Sequence, residues 1–236
     1  MHLYKKLWKR IFDIILSLVG MIVVTPAFLI LLPIVAIAMR GKPFFLQTRV
    51  GKGGKKFKIV KLRTMTNEKG ADGKLLPDKE RLTKFGMFLR KTSIDELPEM
   101  WNILVGQMSV VGPRPLLEEY LPLYSAVQNR RHEMRPGLTG LAQVSGRNAI
   151  GWQEKFEKDV EYVDNCSLKL DAKIFFLTIK KVCKRDGIAQ SGEATMEYFV
   201  GNGKDKIDKN NNSFDDEQGE KFQIVDEEKA KNDKKS

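Results

Sequence analysis

The chain begins with a long run of apolar positions. None of the 26 residues from Ile14 to Met39 is charged, whereas a membrane-spanning helix needs about 20 such residues. The pattern therefore predicts contact with a membrane. A cleaved signal peptide is the competing interpretation, but the run is too long for one and lacks an obvious small-residue cleavage site before the next basic block.

A helix-breaking pair stands in the middle of this run. Pro26 has no N–H to donate to the carbonyl of Ile22, and its ring crowds the preceding turn. The Thr25 hydroxyl can hydrogen-bond a freed carbonyl, which lowers the cost of a break in hydrocarbon. A bend is expected here. The segment is then either a kinked helix that crosses the bilayer or two half-helices that enter and leave on one side.

The basic residues at both ends of the run favour the second arrangement. Lys5, Lys6, Lys9 and Arg10 precede it, and nine Lys or Arg residues follow within residues 40–63. Flanks rich in Lys and Arg stay on the cytoplasmic side of a membrane. A segment that is basic at both ends meets this preference only when neither end crosses the membrane. We predict a re-entrant membrane helix over residues 1–40.

The remaining pattern predicts a small α+β domain over residues 41–200, mostly helical with one β-hairpin. Basic and apolar residues alternate around Gly51, Gly53 and Gly54, which is typical of two strands joined by a glycine turn. "GKGG" lacks the spacing of a phosphate-binding loop. Further predicted elements are a polar loop over 67–79, helices over 79–92, 93–109 and 117–134, a glycine-rich loop or short strand over 135–148, and amphipathic helices over 152–164 and 168–184.

Two of these segments carry a further expectation. The glycines of residues 135–148 suggest that a ligand approaches the backbone closely. The last helix combines Ile174, Phe175, Phe176, Leu177 and Ile179 with several lysines, a pattern that suits either a membrane surface or a packed core.

The charge distribution points to an anionic partner. The net charge is +11, yet residues 201–236 hold eight Lys against ten Asp or Glu, so the first 200 residues carry 33 basic and 20 acidic residues, a charge of +13. Nucleic acid, anionic lipid and a phosphorylated substrate all fit such a charge. Residues 201–236 have few apolar anchors and are predicted to be a disordered charged tail.

Cysteine and histidine offer little chemistry. Cys166 and Cys183 lack the spacing of a metal site or a redox pair, so they are expected to be structural thiols in a reducing compartment. His2 and His132 are the only histidines, and neither stands near a candidate nucleophile. A Ser/His/Asp arrangement for acyl transfer therefore finds no support.

The sharpest local signal is "SIDELPE" at residues 93–99. Ser93 and Glu96 fit the S-x-x-E capping box of a helix N-terminus, which would make both acids structural. Pro98 conflicts with a helix that begins at Ser93 but is harmless in the first turn of one that begins at Asp95. In the second case the two carboxylates are not needed as helix caps and can take part in catalysis or metal binding.

Asp95 and Glu96 then suit phosphoryl transfer. Adjacent helical residues point about 100° apart, so the two carboxylates can share a pocket and play separate roles. One can attack phosphorus as a nucleophile while the other holds Mg²⁺ through oxygen, and the metal can offset phosphate charge.

Together these motifs resemble the bacterial sugar transferases, the small monotopic phosphoglycosyl transferases that begin membrane glycan assembly. The resemblance covers about residues 1–200 and is carried by "RVGKGGKKFKIVKLRTM", "SIDELPEMWNIL", "MSVVGPRPLL", "RRHEMRPGLTGLAQVSGRN" and "KFEKDVEYV". The chain looks most similar to the minimal members of bacterial protein N-glycosylation, which transfer phospho-N,N′-diacetylbacillosamine.

The resemblance implies a role for each matching residue. A Ser-Pro break in the family's re-entrant helix corresponds to Thr25 and Pro26, with the hydroxyl retained. Asp95 is implied to be the nucleophile and Glu96 the magnesium ligand. The implied active-site set, including the basic positions that meet phosphate or nucleotide, is completed by Lys61, Arg90, Arg114, Arg147 and Asp159.

The activity implied by the resemblance is a two-step transfer. Asp95 takes the phosphosugar from a UDP-sugar and releases UMP, and undecaprenyl phosphate then takes the phosphosugar from the enzyme. The implied location is the cytoplasmic face of the bacterial inner membrane, in contact with lipids and without a nucleic-acid partner. The oligomeric state is left open. Two alternatives remain: a non-catalytic scaffold that binds anionic lipid, and a phosphatase that passes the phosphosugar to water.

Overall fold

The computed structural model describes residues 3–146, 149–184, 198–202, 213–215 and 221–223. The chain divides into a large unit, Met1–Tyr198, and a small one, Phe199–Ser236. The helices of the large unit are α1 Lys9–Ala38, α2 Asp78–Arg81, α3 Lys84–Thr92, α4 Glu99–Leu104, α5 Ala126–Asn129, α6 Leu141–Ser145, α7 Trp152–Asn165 and α8 Leu168–Lys184, and its strands are β1 Phe44–Val50, β2 Lys56–Leu62, β3 Ser109–Val111 and β4 Gly137–Thr139.

The apolar run forms one helix of 30 residues, α1, which contains both Pro26 and Pro33. A single π-helical turn, Tyr4–Trp8, precedes it. The Thr25 hydroxyl donates to the carbonyl oxygen of Met21 at 2.6 Å, a carbonyl one residue away from the one that Pro26 leaves free. The helical conformation continues through the pair, so the break into two half-helices stays a prediction.

One face of α1 lies against the rest of the large unit along its whole length. Lys9, Asp13 and Ser17 are buried at intervals of four residues, and Val35 is buried 18 residues further on, which at 3.6 residues per turn is the same face of the helix. Gly20 is in close contact with Met100 of α4. At 1.5 Å per residue the helix is about 45 Å long. Both of its ends therefore contact the same body of protein.

The opposite face of α1 is apolar and exposed. Its most exposed large side chains are 65 to 79% accessible and comprise Ile22, Val23, Leu29, Ile30 and Ile37. Within the described residues α1 is the one helix that is long and apolar enough to cross a membrane by length and composition. An apolar surface of this extent indicates contact with lipid or a protein partner.

The basic residues at the start of the chain bind the domain. Lys5 donates to the carbonyl of Val163 at 2.7 Å, near the end of α7. Arg10 donates to the carbonyls of Ile103 and Leu104 at the end of α4, at 2.6 and 2.8 Å. Cations at helix C-termini satisfy unpaired carbonyls and oppose the negative end of the dipole. Their charges therefore hold the N-terminus in place.

A buried network completes this attachment. Lys9 Nζ and the Tyr4 hydroxyl each lie 2.6 Å from Asp171 Oδ2 on α8, and the Tyr162 hydroxyl lies 2.7 Å from Asp171 Oδ1. The carboxylate of Asp13 accepts from the Ser109 hydroxyl and the Val110 amide, both at 2.9 Å. The charged side chains of Lys9 and Asp13, on a mostly apolar helix, thus both have polar partners inside the protein.

The predicted hairpin is confirmed. β1 and β2 pair antiparallel from Phe44 opposite Leu62 to Val50 opposite Lys56. Gly53 and Gly54 form the turn with φ of +64° and +75°, values that glycine adopts without strain. One face of the hairpin contributes Phe57 and Ile59 to the core, where Met108, Tyr162 and Ile174 are fully buried.

The middle of the chain is more broken than the sequence predicted. The helix expected over 79–92 is divided into α2 and α3, and that over 93–109 is reduced to α4. Trp101, on α4, is 53% exposed. The helix expected over 117–134 is wrong as one element, because Pro122 lies in a separate 3₁₀ segment, Glu118–Leu123, that ends before α5.

The glycine-rich segment contains the predicted short strand. β4 pairs in parallel with β3. A Cβ on Gly137 would lie 2.1 Å from the amide nitrogen of Gly112, so the absence of a side chain lets two backbone segments touch. The close approach seen here is to protein backbone, and the approach of a ligand to this segment stays a prediction.

The two amphipathic helices at the end of the domain are confirmed as α7 and α8. Ile174 is fully buried while Phe176 is 68% exposed, so α8 combines a core face with an exposed apolar one. Cys166 is a buried free thiol, as expected, and the side chain of Cys183 lies outside the described residues.

The small unit contains an element that the sequence did not predict. Two short strands, β5 Ser213–Asp215 and β6 Lys221–Gln223, pair antiparallel. The predicted disorder of residues 201–236 otherwise concerns residues outside those described, and it stays a prediction.

We expect an asymmetric response when the Lys9–Asp171 pair is broken. Asp171→Ala leaves the buried ammonium of Lys9 without a counter-charge and should lower the free energy of unfolding by about 3 kcal/mol. Lys9→Met should cost less, because Asp171 keeps two tyrosine donors. Chemical unfolding in detergent micelles measures both. Arg40→Ala, which removes an exposed ion pair with Glu68, is the control and should change stability by less than about 1 kcal/mol. Equal losses for the two buried variants would contradict this account.

Candidate active site

The acids of "SIDELPE" lie in a tight turn between two helices. Helix α3 ends at Thr92, and the next residue, Ser93, has a left-handed φ of +56°. A 3₁₀ turn, Ile94–Glu96, follows. Ser93 makes no capping bond to this turn, and α4 starts only at Glu99, after Pro98. The capping-box interpretation is therefore wrong. Both carboxylates are available for other interactions.

Glu96 is held by two cations. Its Oε1 atom accepts from Lys61 Nζ and from Arg114 Nη2, each at 2.8 Å. Burial favours the neutral acid, but the charges and hydrogen bonds of Lys61 and Arg114 outweigh it and hold the pKa of Glu96 well below its usual range. Glu96 is therefore an ionised carboxylate at neutral pH, fixed in one orientation.

Lys61 bridges Glu96 to a second carboxylate that the sequence argument did not identify. Lys61 Nζ lies 3.1 Å from Glu99 Oε1, and the Glu99 side chain is almost fully buried. Burial and the neighbouring Glu96 charge raise the pKa of Glu99 despite Lys61. A signal for Glu99 was present: it is the third acid of the same motif, directly after Pro98.

Asp95 differs from both glutamates. Its side chain is buried, and it makes no hydrogen bond to any part of the chain that the structure describes. Burial, followed by the charge of Glu96, raises the pKa of Asp95 to about 6, although Lys61, Arg90 and Arg114 lower it. The result is a carboxylate that ionises near neutral pH and has an unoccupied set of acceptor positions beside three cations.

Arg90 reaches this site because α3 packs directly on the chain after β2. A Cβ on Gly86 would lie 1.8 Å from the Thr64 carbonyl oxygen, so only glycine allows the approach. Arg90 Nε then donates to Thr64 Oγ1 at 3.0 Å. The structure thus brings Arg90, Lys61 and Arg114 together around Asp95 and Glu96, as the resemblance implied.

Asp159 supports this site from a distance. It is buried on α7 and accepts from Arg131 Nη2 at 2.7 Å, and the same nitrogen donates to the backbone carbonyl of Arg114 at 2.6 Å. Within the described residues no contact joins Asp159 to Asp95 or Glu96. Asp159 and Arg131, which the sequence argument did not single out, therefore position Arg114.

Four further residues named in the sequence analysis have different outcomes. Arg147 lies outside the described residues, as does His2. His132 is buried beside Arg131, and burial lowers its pKa to about 4, so it is neutral at physiological pH. Thr25 lies on α1 and lines a cavity next to Leu97 and Pro98.

The acids offer the oxygen ligands that Mg²⁺ prefers. Glu96 uses Oε1 for its two cations, and its Oε2 makes no hydrogen bond within the described residues, as is true of the Asp95 carboxylate. No group of three metal-type side chains is preformed in the described part of the chain. Magnesium usually binds through one or two carboxylates, with substrate phosphates and water completing its shell, so these residues fit such an ion.

Comparison with known proteins bears on the same residues. The model of the bacterial sugar transferase family matches residues 4–185, a range that includes α1, the hairpin and every site residue from Lys61 to Asp159.

Similar proteins are found in several bacteria. A sugar transferase, EpsL, of Bacillus subtilis is 50% identical over 195 residues, which are 83% of this chain and 96% of the relative. The exopolysaccharide production protein ExoY of Rhizobium meliloti is 39% identical over 76% of this chain and 87% of its own length. The UDP-glucose:undecaprenyl-phosphate glucose-1-phosphate transferase of Klebsiella pneumoniae is 42% identical over 74% of this chain but only 40% of its own length.

We expect Asp95→Asn to stabilise the protein at neutral pH. The folded-state pKa of Asp95, about 6, exceeds the value of about 4 for an unfolded chain, so the folded state binds the proton more tightly. Stability from this group is complete below pH 4 and is lost as pH rises through 6. Asp95→Asn should therefore raise the free energy of unfolding by about 2 kcal/mol at pH 7.5 and hardly at all at pH 4.

Urea unfolding in detergent at the two pH values tests this expectation. Glu80→Gln, at an exposed position of α2, is the matched control and should change stability little at either pH. A destabilised Asp95→Asn variant at pH 7.5 would contradict this account, because it would show that the Asp95 carboxylate already has stabilising partners within the protein.

Proposed function

The chain belongs to the bacterial sugar transferase family, and we propose that it transfers a sugar 1-phosphate from a UDP-sugar to undecaprenyl phosphate and releases UMP. It is a phosphoglycosyl transferase. Relatives from Klebsiella pneumoniae and Escherichia coli carry names that state this donor and acceptor. The chain spans 40% of the length of each, so the donor and acceptor are part of the proposal.

The state of Asp95 carries the proposal. A buried carboxylate normally has hydrogen-bond partners, yet Asp95 makes no hydrogen bond within the described residues. Burial and the charge of Glu96 raise its pKa to about 6, although three cations lower it. Glu96, its neighbour in sequence, is clamped by two of these cations. A nucleophile must be ionised near operating pH without being tied to other groups, and of the two acids only Asp95 meets both requirements.

The reaction proceeds in two displacements. A carboxylate oxygen of Asp95 attacks the sugar-linked phosphorus of the donor, the bond from that phosphorus to the bridging oxygen breaks, and UMP leaves with the bonding pair. A phosphate oxygen of undecaprenyl phosphate then attacks the same phosphorus, and the Asp95 carboxylate leaves with its electron pair. The product is undecaprenyl diphosphate-sugar. The mechanism is ping-pong, through a covalent aspartyl phosphosugar.

The cations stabilise the charge that develops during both displacements. Arg114 is oriented from its backbone by Arg131 and Asp159, so its guanidinium is prepositioned over Glu96 and the adjoining Asp95. Lys61 is fixed between Glu96 and Glu99. Arg90 is oriented by its hydrogen bond to the Thr64 hydroxyl. Prepositioned charges of this kind need no reorganisation at the moment of reaction, which is the reason they accelerate it.

Magnesium would be held by the free oxygen of Glu96, with phosphate oxygens and water completing its shell. When bound, it neutralises phosphate charge and so lowers the repulsion between an anionic nucleophile and an anionic donor. Lys61 and Arg114 keep Glu96 ionised for this purpose, because their charges lower its pKa.

The contacts of α1 support a re-entrant arrangement in which neither end crosses the membrane. Lys5, Lys9 and Arg10 bind the domain at one end of α1, and at the other end Val35 and Met39 pack against Leu62 and Leu89. A straight crossing would place a domain attached along about 45 Å of helix inside a hydrocarbon layer about 30 Å thick. We therefore place both ends at the cytoplasmic face of the inner membrane, with the exposed apolar face of α1 in one leaflet.

The identity of the sugar is a separate proposal. The resemblance points to an N-acetylated diamino sugar such as N,N′-diacetylbacillosamine, whereas the names of several relatives state glucose or galactose. The roles proposed here for the catalytic groups concern the phosphate of the donor and not its hexose. A panel of donors is therefore the direct way to identify the sugar.

We expect purified protein with Mg²⁺ to release UMP from at least one donor among UDP-glucose, UDP-galactose and UDP-N,N′-diacetylbacillosamine. Without acceptor, release should stop at one UMP per active site, with a phosphosugar adduct on Asp95 seen by mass spectrometry. Chelation of Mg²⁺ should abolish release. Asp95→Asn should lower turnover at least about a thousandfold, since the nucleophile is lost.

Several outcomes would contradict this mechanism. Continued UMP release without acceptor would indicate a phosphatase that passes the phosphosugar to water. Full turnover by Asp95→Asn would exclude the nucleophile assignment. The exposed Glu80→Gln variant serves as the matched control and should keep its activity within about twofold, because surface substitutions away from special features change little.

We expect residues on both sides of α1 to face the cytoplasm. Leu3→Cys and Lys42→Cys, both at exposed positions, should react with a membrane-impermeant maleimide in inside-out vesicles and not in right-side-out vesicles. The unmodified chain gives the background. Labelling of Leu3→Cys from the periplasmic side would refute the re-entrant arrangement.

A further inference from the structure

One more arginine lies beside the active site and has no role in the mechanism above. Arg49 is on β1, and alternate residues of a strand share one face of the sheet. Arg49 and Gln47 therefore lie on the same face of the hairpin as Lys61, which is paired with Phe45. Arg49 Nη2 donates to Gln47 Oε1 at 2.7 Å. This bond directs the guanidinium along the strand towards Lys61.

The same guanidinium is close to Arg114. The amide of Val50 donates to the carbonyl of Leu116 at 3.3 Å, which brings the chain after Arg114 alongside the end of β1. Burial lowers the pKa of Arg49, and the positive charge of Arg114 lowers it further, although neighbouring acidic groups oppose this change. Two guanidinium groups are thus held near each other.

No carboxylate of the described residues forms an ion pair with Arg49, and the bond to Gln47 is the one hydrogen bond that its side chain makes to them. Arginine carries five N–H donors in a planar fork, so most of the donors of Arg49 are available. Partly buried cations are normally paired, and like charges at short range repel. Cations gathered in this way favour an anion between them, and arginine forks match phosphate.

Arg49 lies on the far side of Arg114 from Asp95. Three cations lower the pKa of Asp95, and Arg49 is not among its main causes, whereas Arg114 acts on both residues. Along the hairpin Arg49 is four residue positions from Lys61, which is about 13 Å at 3.3 Å per residue. The positive charge therefore extends from the acids past Arg114, over a length that suits two joined phosphates.

The geometry of the proposed displacement assigns an end to each phosphate. In phosphoryl transfer the attacking and leaving oxygens lie roughly in line through the phosphorus. The phosphate that leaves is therefore on the side of the attacked phosphorus away from Asp95. Arg114 can reach both phosphates, and Arg49 lies on the side of the one that leaves.

We propose that Arg49 binds the phosphate that departs with UMP and that Gln47 positions the Arg49 guanidinium for this contact. The inference rests on the proposed function and adds the residue that stabilises the leaving group. When the bond from the sugar-linked phosphorus to the bridging oxygen breaks, the bonding pair stays on the UMP phosphate. Arg49 stabilises that charge, while Lys61 and Arg90 act on the phosphate that is transferred.

Binding of UMP and of uridine tests the contact directly. Arg49→Gln should weaken UMP binding at least about tenfold and leave uridine binding unchanged within about twofold, because uridine has no phosphate. Arg49→Lys keeps the charge without the fork and should restore part of the affinity. Lys58→Gln, which removes an exposed charge from the opposite face of the hairpin, is the matched control and should change neither affinity by more than about twofold. Calorimetric titration of the full chain in detergent with Mg²⁺ measures both ligands.

The acceptor-free reaction gives the catalytic readout. At saturating donor, Arg49→Gln should slow formation of the aspartyl phosphosugar at least about tenfold without changing the final amount per active site. Gln47→Ala should slow it less, because Arg49 is retained and loses only its orientation. Gln47→Glu should slow it about as much as Arg49→Gln does, because the new carboxylate neutralises Arg49.

Stability separates a ligand site from a structural role. Because Arg49 is repelled by Arg114 and has no carboxylate partner in the described residues, Arg49→Gln should keep or raise the urea midpoint of the ligand-free protein. A lowered midpoint would assign Arg49 to the fold and overturn the inference.

The remaining outcomes distinguish this inference from the proposed function. Unchanged UMP affinity in Arg49→Gln, with UMP still released by the unmodified chain, would overturn the role of Arg49 and leave the function standing. Equal losses of UMP and uridine binding would assign Arg49 to the nucleoside and also overturn it. Failure of the unmodified chain to release UMP from any donor would contradict the proposed function itself.

Discussion

The attachment of α1 to the domain along one complete face is the constraint on which the rest of the structure depends. An isolated apolar helix in a bilayer is free to cross, tilt or rotate. Here Lys9 and Asp13 are buried in polar networks at one end, and Val35 and Met39 join an apolar cluster at the other. Because breaking a buried charge pair is expensive, these contacts fix the rotation of α1, and they determine which of its faces remains for lipid.

This attachment also sets the position of the chemistry. The polypeptide between α3 and α4 lies near the middle of α1: Met100 is in close contact with Gly20, and Leu97 and Pro98 line a cavity together with residues of α1. The acids that precede them are therefore held beside the membrane helix, while β2 presents Lys61 from the opposite side. In the proposed transfer a soluble donor and a membrane-bound acceptor meet at one phosphorus atom, which requires a charged site next to an apolar surface. The same few residues of the chain supply both.

The charge pattern inside the site separates the roles of adjacent acids. Glu96 binds two cations and is ionised, Glu99 is buried beside Glu96 and tends to be neutral, and Asp95 ionises near pH 6 without a hydrogen-bond partner in the described residues. Burial acts on all three, so the difference comes from which cation reaches which oxygen. Arg114 is decisive here, because Arg131 and Asp159 hold its backbone and thereby direct its side chain to Glu96.

Several features of this protein follow from the sequence alone. An uncharged run of 26 residues implies contact with an apolar phase whatever the tertiary structure, and the glycine turn between alternating strands specifies the hairpin through local geometry. The pairing of Asp95 with Glu96 is visible in the motif, since adjacent residues cannot be far apart. The family resemblance also brought Lys61, Arg90 and Arg114 into the same site.

Other features were decided only by tertiary structure. Ser93 and Glu96 match a capping box, yet Glu96 turns to Lys61 and Arg114, because two charged partners outweigh one backbone amide. Glu99 and Arg131 gain their importance from long-range contacts that no local pattern encodes. The N-terminal lysines and Arg10 look like topological charges in sequence, but the fold brings helix C-termini and Asp171 to them. Local patterns determine which groups the chain possesses, whereas partners distant in sequence determine which of these groups are neutralised, buried or left to react.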